Sequence, residues 1–472
     1  MTTLRTLTAC FLTFLLSLAA AVAGKPNIIL VMSDDQGWGD VAFREHPVLK
    51  TPHLDKMAAE SLVLEQAYAS APVCSPSRAS ILTGRTPNRS TCYRHGHSMH
   101  PKEETLPQIL KKYGYATGHF GKWHLGTLYK NSPVNPTAAG YDEWISAPNF
   151  FDIDPTLSNK GVATQYKGDS SEITMRLALD FIKRQSAAKQ PFFTTVWYGS
   201  PHDPHKALDR DKVGYEKLGQ HKANFLGEIT ELDRTVGELR AALRELGIEK
   251  ETIVWFCSDN GGLKNLGVTG GRAHKGTVYE GGLRVPSIIE WPGKVKAGIS
   301  KLPTNGSDML PTVLELAGIE HQPKHPLDGV SIAKTVLGQE KAQPHPLGFW
   351  HYDVAGIGCW GEREMQALLK LQQAGQEVTD PKQLRSSGKP VKVSTKANSY
   401  PGHSAWLDYP WKLHRIESKK GKVSWELYNL ALDPMESKNL TSEKKAEFEA
   451  LKQAHLNWLQ SVQTSMKGAD YE

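Results

Sequence analysis

"KPNIILVMSDD", residues 25–35, decides how the rest of the chain is read. A short unbroken apolar run that stops at two acids has the pattern of a strand buried in the middle of a sheet. Two later stretches share that form: "PFFTTVWYGSPHDPH" (191–205) and "ETIVWFCSDNGG" (251–262). Helical patterns lie between them, at "HLDKMAAESL" (53–62), "EETLPQILKKYGY" (103–115), "SEITMRLALDFIKRQ" (171–185) and the long amphipathic "KANFLGEITELDRTVGELRAALRELGI" (222–248). Strands alternating with helices predict an α/β fold, a large α/β/α sandwich around a mostly parallel mixed sheet. Ligands of such sheets gather at the carboxyl ends of the strands. Asp34-Asp35, His202 and Asp259-Asn260 each follow a predicted strand and are expected to converge there.

Beyond about residue 340 the texture changes. "SAWLDYPWKLHRI" (404–416) and "KVSWELYNL" (422–430) read as antiparallel strands, "DPMESKNL" (433–440) as a turn, and "SEKKAEFEALKQAHLNWLQSV" (442–462) as a terminal helix. The expected organisation is a signal peptide at 1–23, a catalytic domain at 24–340, and a smaller antiparallel-sheet-plus-helix subdomain at 341–472. A charged insertion at 362–396, with a helix at "EREMQALLKLQQAG" (362–375), interrupts the last part.

The chain has 472 residues, a hydrophobic fraction of 39% and a charged fraction of 22%, values of a globular protein with more than one core. A formal charge of +6 suits an anionic substrate, although a solvated surface produces the same balance. No nucleic-acid motif and no internal repeat is present. Arg5, the apolar run at 7–23 and Ala21-Val22-Ala23 form a signal-peptide pattern that is short for a membrane span. The mature protein is expected to be exported, periplasmic or secreted, with no span. Cys10 would leave with the signal. Cys74, Cys92, Cys257 and Cys359 remain, too few and too widely spaced for a disulfide framework.

Cys74 opens "CSPSRASILTGR" (74–85), where Pro76 suits the first turn of a helix ending near Gly84. A thiol at a helix entrance, with Arg78 four residues on, is a candidate low-pKa nucleophile. Its company argues otherwise. Asp34, Asp35, Asp259 and Asn260 are hard oxygen donors suited to Ca²⁺ or Mg²⁺, and sulfur is a poor partner for such an ion. The site makes more sense if position 74 finally carries oxygen.

"CSPSRASILTGR" resembles the C-x-P-x-R-x-x-x-x-T-G-R signature of the type I sulfatases, formylglycine-dependent members of the alkaline phosphatase superfamily. "NIILVMSDDQGWGD", "GHFGKWHLG", "SPHDPH", "SDNGG", "HKGTVYEGGLRVP" and "ELYNLALDPMESKNL" follow in that family's order, in the style of bacterial arylsulfatases and N-acetylgalactosamine-6-sulfatases. The resemblance implies that Cys74 is oxidised to formylglycine by a formylglycine-generating enzyme or an anaerobic sulfatase-maturating enzyme. It implies that Asp34, Asp35, Asp259, Asn260 and residue 74 hold a cation, usually calcium. A hydroxyl of the hydrated aldehyde would attack sulfur, with Arg78 orienting it and Lys122 and Lys275 neutralising the sulfuryl oxygens. His202 would protonate the leaving alcohol. His124 would take the proton that releases sulfate.

Other residues are read less directly. His205 is a surface residue or a substrate contact. Arg272 and His274 either touch the substrate's sugar or line the loop before Lys275. His95, His97 and His100 are read as a loop at the pocket rim in preference to a metal site, and Ser146 and Asn149 compete as a further sulfate contact. The implied reaction is hydrolysis of a sulfate monoester, with a sulfated carbohydrate as substrate. The alternatives are a formylglycine-dependent phosphodiester or phosphonate monoester hydrolase, and a non-catalytic sulfated-glycan binding protein that keeps its thiol.

Overall fold

The computed structural model describes residues 24–340, 344–385, 393, 396 and 398–472. The expected signal peptide and most of the polar end of the expected insertion lie outside the described residues. Among the described residues, twelve strands precede residue 340: β1 (Asn27–Ser33), β2 (Leu62–Leu64), β3 (Ala67–Tyr68), β4 (Ala116–Lys122), β5 (Glu143–Ala147), β6 (Thr156–Asn159), β7 (Val162–Gln165), β8 (Phe192–Trp197), β9 (Thr252–Ser258), β10 (Ser287–Glu290), β11 (Gly298–Ser300) and β12 (Thr304–Asn305). Ten of them form one sheet in the order β11-β2-β10-β9-β1-β8-β4-β5-β6-β7, while β3 and β12 pair separately. The five central strands β9, β1, β8, β4 and β5 are mutually parallel. The β9–β10, β10–β2, β5–β6 and β6–β7 pairs are antiparallel, so the sheet is mixed at its flanks.

The central apolar runs are buried on both faces. Ile28, Leu30 and Met32 of β1 point into one apolar layer, which holds Ala79, Ile81 and Leu82 of the Cys74–Thr83 helix and Met309, Leu310 and Val313 of the Met309–Leu316 helix. Ile29 and Val31 point into the other layer, against Phe181 of the Ser170–Ala187 helix and Leu232, Val236 and Leu239 of the Gln220–Glu245 helix. Alternate residues of one strand thus feed two helical layers, which is the expected sandwich.

The C-terminal part is a four-stranded antiparallel sheet of β13 (Leu347–Tyr352), β14 (Gly402–Asp408), β15 (Trp411–Glu417) and β16 (Val423–Asn429), backed by the Lys445–Met466 helix. Lys412 on β15 is buried and lies 2.7 Å from Glu280 and 3.1 Å from Glu436, a charged joint between the two parts. The helix read within the insertion spans Gly361–Gln373 and docks on the large sheet. Gln372 accepts from Ala163 N–H at 2.9 Å and donates to the Gly161 carbonyl at 2.8 Å, and Glu362 accepts from Thr156 N–H at 3.0 Å.

Close approach of β4 and β8 depends on one glycine. Gly121 has φ +103°, and a Cβ there would lie 1.9 Å from the Trp197 carbonyl oxygen. Gly121→Ala is expected to cost about 3 kcal/mol or more of folding stability, because both the φ and the backbone contact must give way. Chemical denaturation of the variant checks this; an unchanged midpoint would show that the sheet accommodates the methyl.

Candidate active site

Because β1, β8, β9 and β4 are parallel, their carboxyl ends meet on one edge of the sheet. Asp34 and Asp35 follow β1, Asp259 and Asn260 follow β9, and all four are at most 1% exposed, which no ordinary surface carboxylate would be. Asp35 N–H donates to Asp259 at 3.2 Å, and the Asn260 amide donates to Asp35 at 2.8 Å. The Cys74–Thr83 helix brings Cys74 Sγ to 3.5 Å from Asp34. Pro76 lies in its first turn, and Gly84 ends it in the left-handed conformation, φ 67°.

Three basic side chains match the three acids. Lys122 at the end of β4 donates to Asp34. Lys275 donates to Asp35 at 2.6 Å. Arg78 donates to Asp259 through two nitrogens, at 3.0 and 2.7 Å, and to the Lys122 carbonyl at 2.9 Å. Burial opposes ionisation of Asp35, yet Lys275, His202 and Lys122 together hold its carboxyl below the usual range. Asp259 is pushed up to about 6 by burial and by Asp34.

The Cys74 thiol is also pushed up, by burial first and Asp34 next. That overturns the low-pKa thiolate suggested by its helix position. The entrance of the helix favours an anion, but the neighbouring carboxylate and the dry surroundings outweigh it.

Ligand atoms of Asp34, Asp35, Cys74 and Asp259 lie within 4.8 Å of one another. The Asn260 side-chain oxygen is buried without a hydrogen-bond partner beside them. An unsatisfied hard acceptor among crowded carboxylates is what a divalent cation would relieve, so these residues fit calcium or magnesium.

Two histidines stand over this cluster. His202 Nε2 is 3.8 Å from Asp35, and its Nδ1 faces the Asp203 carbonyl. Burial, then Lys275, lowers it to about 3. His124, at φ 54°, is buried with both ring nitrogens unpartnered, and burial followed by Lys122 holds it well below its ordinary value.

The remaining sequence candidates separate. His205 is buried, its Nδ1 3.1 Å from Glu228 and its Nε2 4.0 Å from the exposed Asp203 carboxylate, with no hydrogen bond at that nitrogen. His274 Nδ1 is 2.9 Å from the Lys275 carbonyl. Arg272 is engaged elsewhere, donating to Tyr428 at 2.9 Å and the Glu436 carbonyl at 3.0 Å, over the Tyr279 ring. The three loop histidines diverge: His97 meets the Ala355 carbonyl, His100 stacks on Tyr471, and the His95 carbonyl accepts from Ile357. Asn149 donates to the Cys359 carbonyl at 2.7 Å, and the Ser146 hydroxyl on β5 is buried without a partner. Sequence reasoning missed Phe150, which stacks on His202 at 4.8 Å.

Comparison with known proteins shows the family and the fold. Residues 26–319 match the Sulfatase family. The chain is 34% identical over 375 residues to N-acetylgalactosamine-6-sulfatase of Canis lupus familiaris, covering 71% of this chain and 70% of that one. It is 32% identical over 378 residues to human arylsulfatase A, covering 71% and 73%. The crystal structure of Ps i-CgsB in complex with k-i-k-neocarrahexaose shares the fold at a TM-score of 0.77 and 23% identity, over 95% of this chain and 97% of that one.

The donor set predicts a cation-dependent stability. Calcium at about a hundred times its dissociation constant should stabilise the protein by roughly 2.7 kcal/mol, and chelation should reverse the gain. Asn260→Ala should remove most of the calcium-induced rise in melting temperature. A wild-type protein whose melting is indifferent to calcium, magnesium and chelator alike would refute the assignment.

Proposed function

The chain belongs to the sulfatase family, and from that premise we propose that it removes sulfate from a sulfated carbohydrate through formylglycine formed from Cys74 and a divalent cation. One observation carries this reading: three carboxylates, an amide and Cys74 are buried together, ringed by Arg78, Lys122 and Lys275. The cation, calcium or else magnesium, would be held by Asp34, Asp35, Asp259, Asn260 and residue 74, and would supply positive charge beside the ester oxygens. The matured residue 74 would supply a hydroxyl to attack sulfur.

The other tasks fall to side chains already in place. Lys122 and Lys275 neutralise Asp34 and Asp35. A cation held by those acids would leave both ammonium groups available to the oxygens of an anionic ester. Arg78 is a positioning residue, fixing Asp259 against the end of β4. His124 is buried with both ring nitrogens unpartnered, so it offers a nitrogen to the proton released as sulfate departs; burial and Lys122 oppose its charged form, and the bound anion would offset them. His202 exchanges its proton at Nε2, Nδ1 being turned to Asp203. The free ring resists protonation because of burial and Lys275. An anionic ester bound beside Lys275 offsets that repulsion and couples protonation of His202 to substrate binding.

The relatives named for N-acetylgalactosamine-6-sulfate and aryl sulfate support a sugar sulfate as natural substrate and aryl sulfates as artificial ones. We assign His205 to a substrate hydroxyl, because Glu228 fixes its ring and Nε2 makes no hydrogen bond, meeting only the exposed Asp203 carboxylate at 4.0 Å. His274 is assigned to the rim beside Lys275, and Arg272 to holding the two halves together. Maturation requires a formylglycine-generating or anaerobic sulfatase-maturating enzyme. We read the protein as exported, periplasmic or secreted; among the described residues no helix is long and apolar enough to cross a membrane.

Two measurements test the reading. Intact mass of the Cys74 peptide from the native host should be lower than the thiol form requires; free thiol alone points to a binding protein. His202→Ala should reduce kcat/KM about 10²–10⁴-fold on sugar sulfates and far less on an activated aryl sulfate, whose leaving group needs no proton. Equal losses on both would remove His202 from the role of acid.

A further inference from the structure

Trp360 is 56% exposed, although it lies next to the site. A lone exposed tryptophan is common on protein surfaces and by itself means little. Its neighbours set this one apart. Its ring meets Phe150 edge-on at 6.1 Å, and Phe150 lies flat on His202, 4.8 Å away with an interplanar angle of 8°. An aromatic surface therefore runs outward from the proposed acid to solvent.

The segment that presents Trp360 is pinned along its length. His97 Nε2 is 3.0 Å from the Ala355 carbonyl, Ile357 N–H donates to the His95 carbonyl at 2.9 Å, and Asn149 holds the Cys359 carbonyl. Just beyond, Glu362 is tied to Thr156 N–H at 3.0 Å. Packing is close at both ends: a Cβ on Gly356 would meet the His95 ring at 2.2 Å, and one on Gly361 would meet the Phe150 carbonyl at 2.7 Å. Through Phe150 the segment comes up against His202 of the site. A rigid backbone that leaves a large aromatic ring in water has preorganised that ring for a partner.

We propose that Trp360 and Phe150 form the wall against which the sugar ring of a sulfated saccharide stacks its C–H face. The inference rests on the reading above, in which His202 protonates the oxygen that leaves sulfur. The carbon bearing that oxygen must then sit beside His202, and a ring extending from there along Phe150 would reach Trp360. Aromatic rings with an exposed face suit the apolar side of a pyranose, while Lys122 and Lys275 take the charged end. Trp360 belongs to the C-terminal half of the chain, so that half would contribute to substrate choice.

The test uses the full chain with N-acetylgalactosamine 6-sulfate and inorganic sulfate as probes. Binding is measured by calorimetry on Cys74→Ser protein, and sulfate release on matured protein. Trp360→Ala should weaken sugar-sulfate binding and raise KM by about tenfold, with kcat nearly unchanged. Trp360→Phe should recover most of the loss, and affinity for inorganic sulfate should be the same in all three proteins. Unchanged sugar-sulfate binding in Trp360→Ala overturns the wall. So does a parallel loss for sugar sulfate and inorganic sulfate, which would mark Trp360 as a structural support. A matured wild-type protein that releases no sulfate, while Trp360 still governs sugar-sulfate binding, overturns the catalytic reading and supports the wall.

Discussion

Three carboxylates crowded into a dry space at the ends of two adjacent strands are the constraint on which this structure depends. Asp34, Asp35 and Asp259 are side by side because β1 and β9 are parallel neighbours in register, with Ser33 opposite Ser258. Buried charge of one sign is costly unless matched, and breaking a buried pair costs roughly 3–5 kcal/mol. The match comes from three different places: Lys122 at the end of β4, Arg78 in a helix, and Lys275 in a loop. Paired this way, the acids and bases balance. A divalent cation added to the acids would make the pocket positive, the field an anionic ester needs.

The same constraint governs Cys74. A helix N-terminus lowers the pKa of a thiol when nothing opposes it. Here Asp34 is 3.5 Å away and water is excluded, so the thiol keeps its proton. As a thiol, position 74 is neither a good nucleophile nor a good ligand for a hard cation. Under the proposed function, replacing that sulfur by oxygen would give the position its use.

Much of this was legible in the sequence, and the reasons are particular. β1, β8 and β9 declare themselves because a strand buried on both faces must be continuously apolar, and the polar residues that end each run mark the active edge. The Cys74–Thr83 helix was legible from Pro76 and Gly84. The flanking strands β2, β6, β7, β10 and β11 were not read, since three or four residues give no periodicity to recognise. Arg272 looked like a site residue because it precedes Lys275 by three positions, yet its partners Tyr428 and Glu436 come from a distant part of the chain. Trp360 meets Phe150 across a similar gap, one that no local pattern can announce.

The C-terminal half also acts on the core of the site. Lys275 sits in a loop whose backbone is tied in three directions. Lys275 N–H donates to Gly262 at 3.0 Å, toward the end of β9, and Gly276 N–H donates to Pro72 at 2.8 Å, beside Cys74. The third tie leads away: Glu280 N–H donates to Glu436 at 2.7 Å, and the Glu280 side chain accepts from Lys412. Lys412 and Glu436 are both buried in the joint between the halves. Loosening that joint would free one side of the loop that sets Lys275 against Asp35. The antiparallel sheet is thus mechanically tied to the site through Lys412.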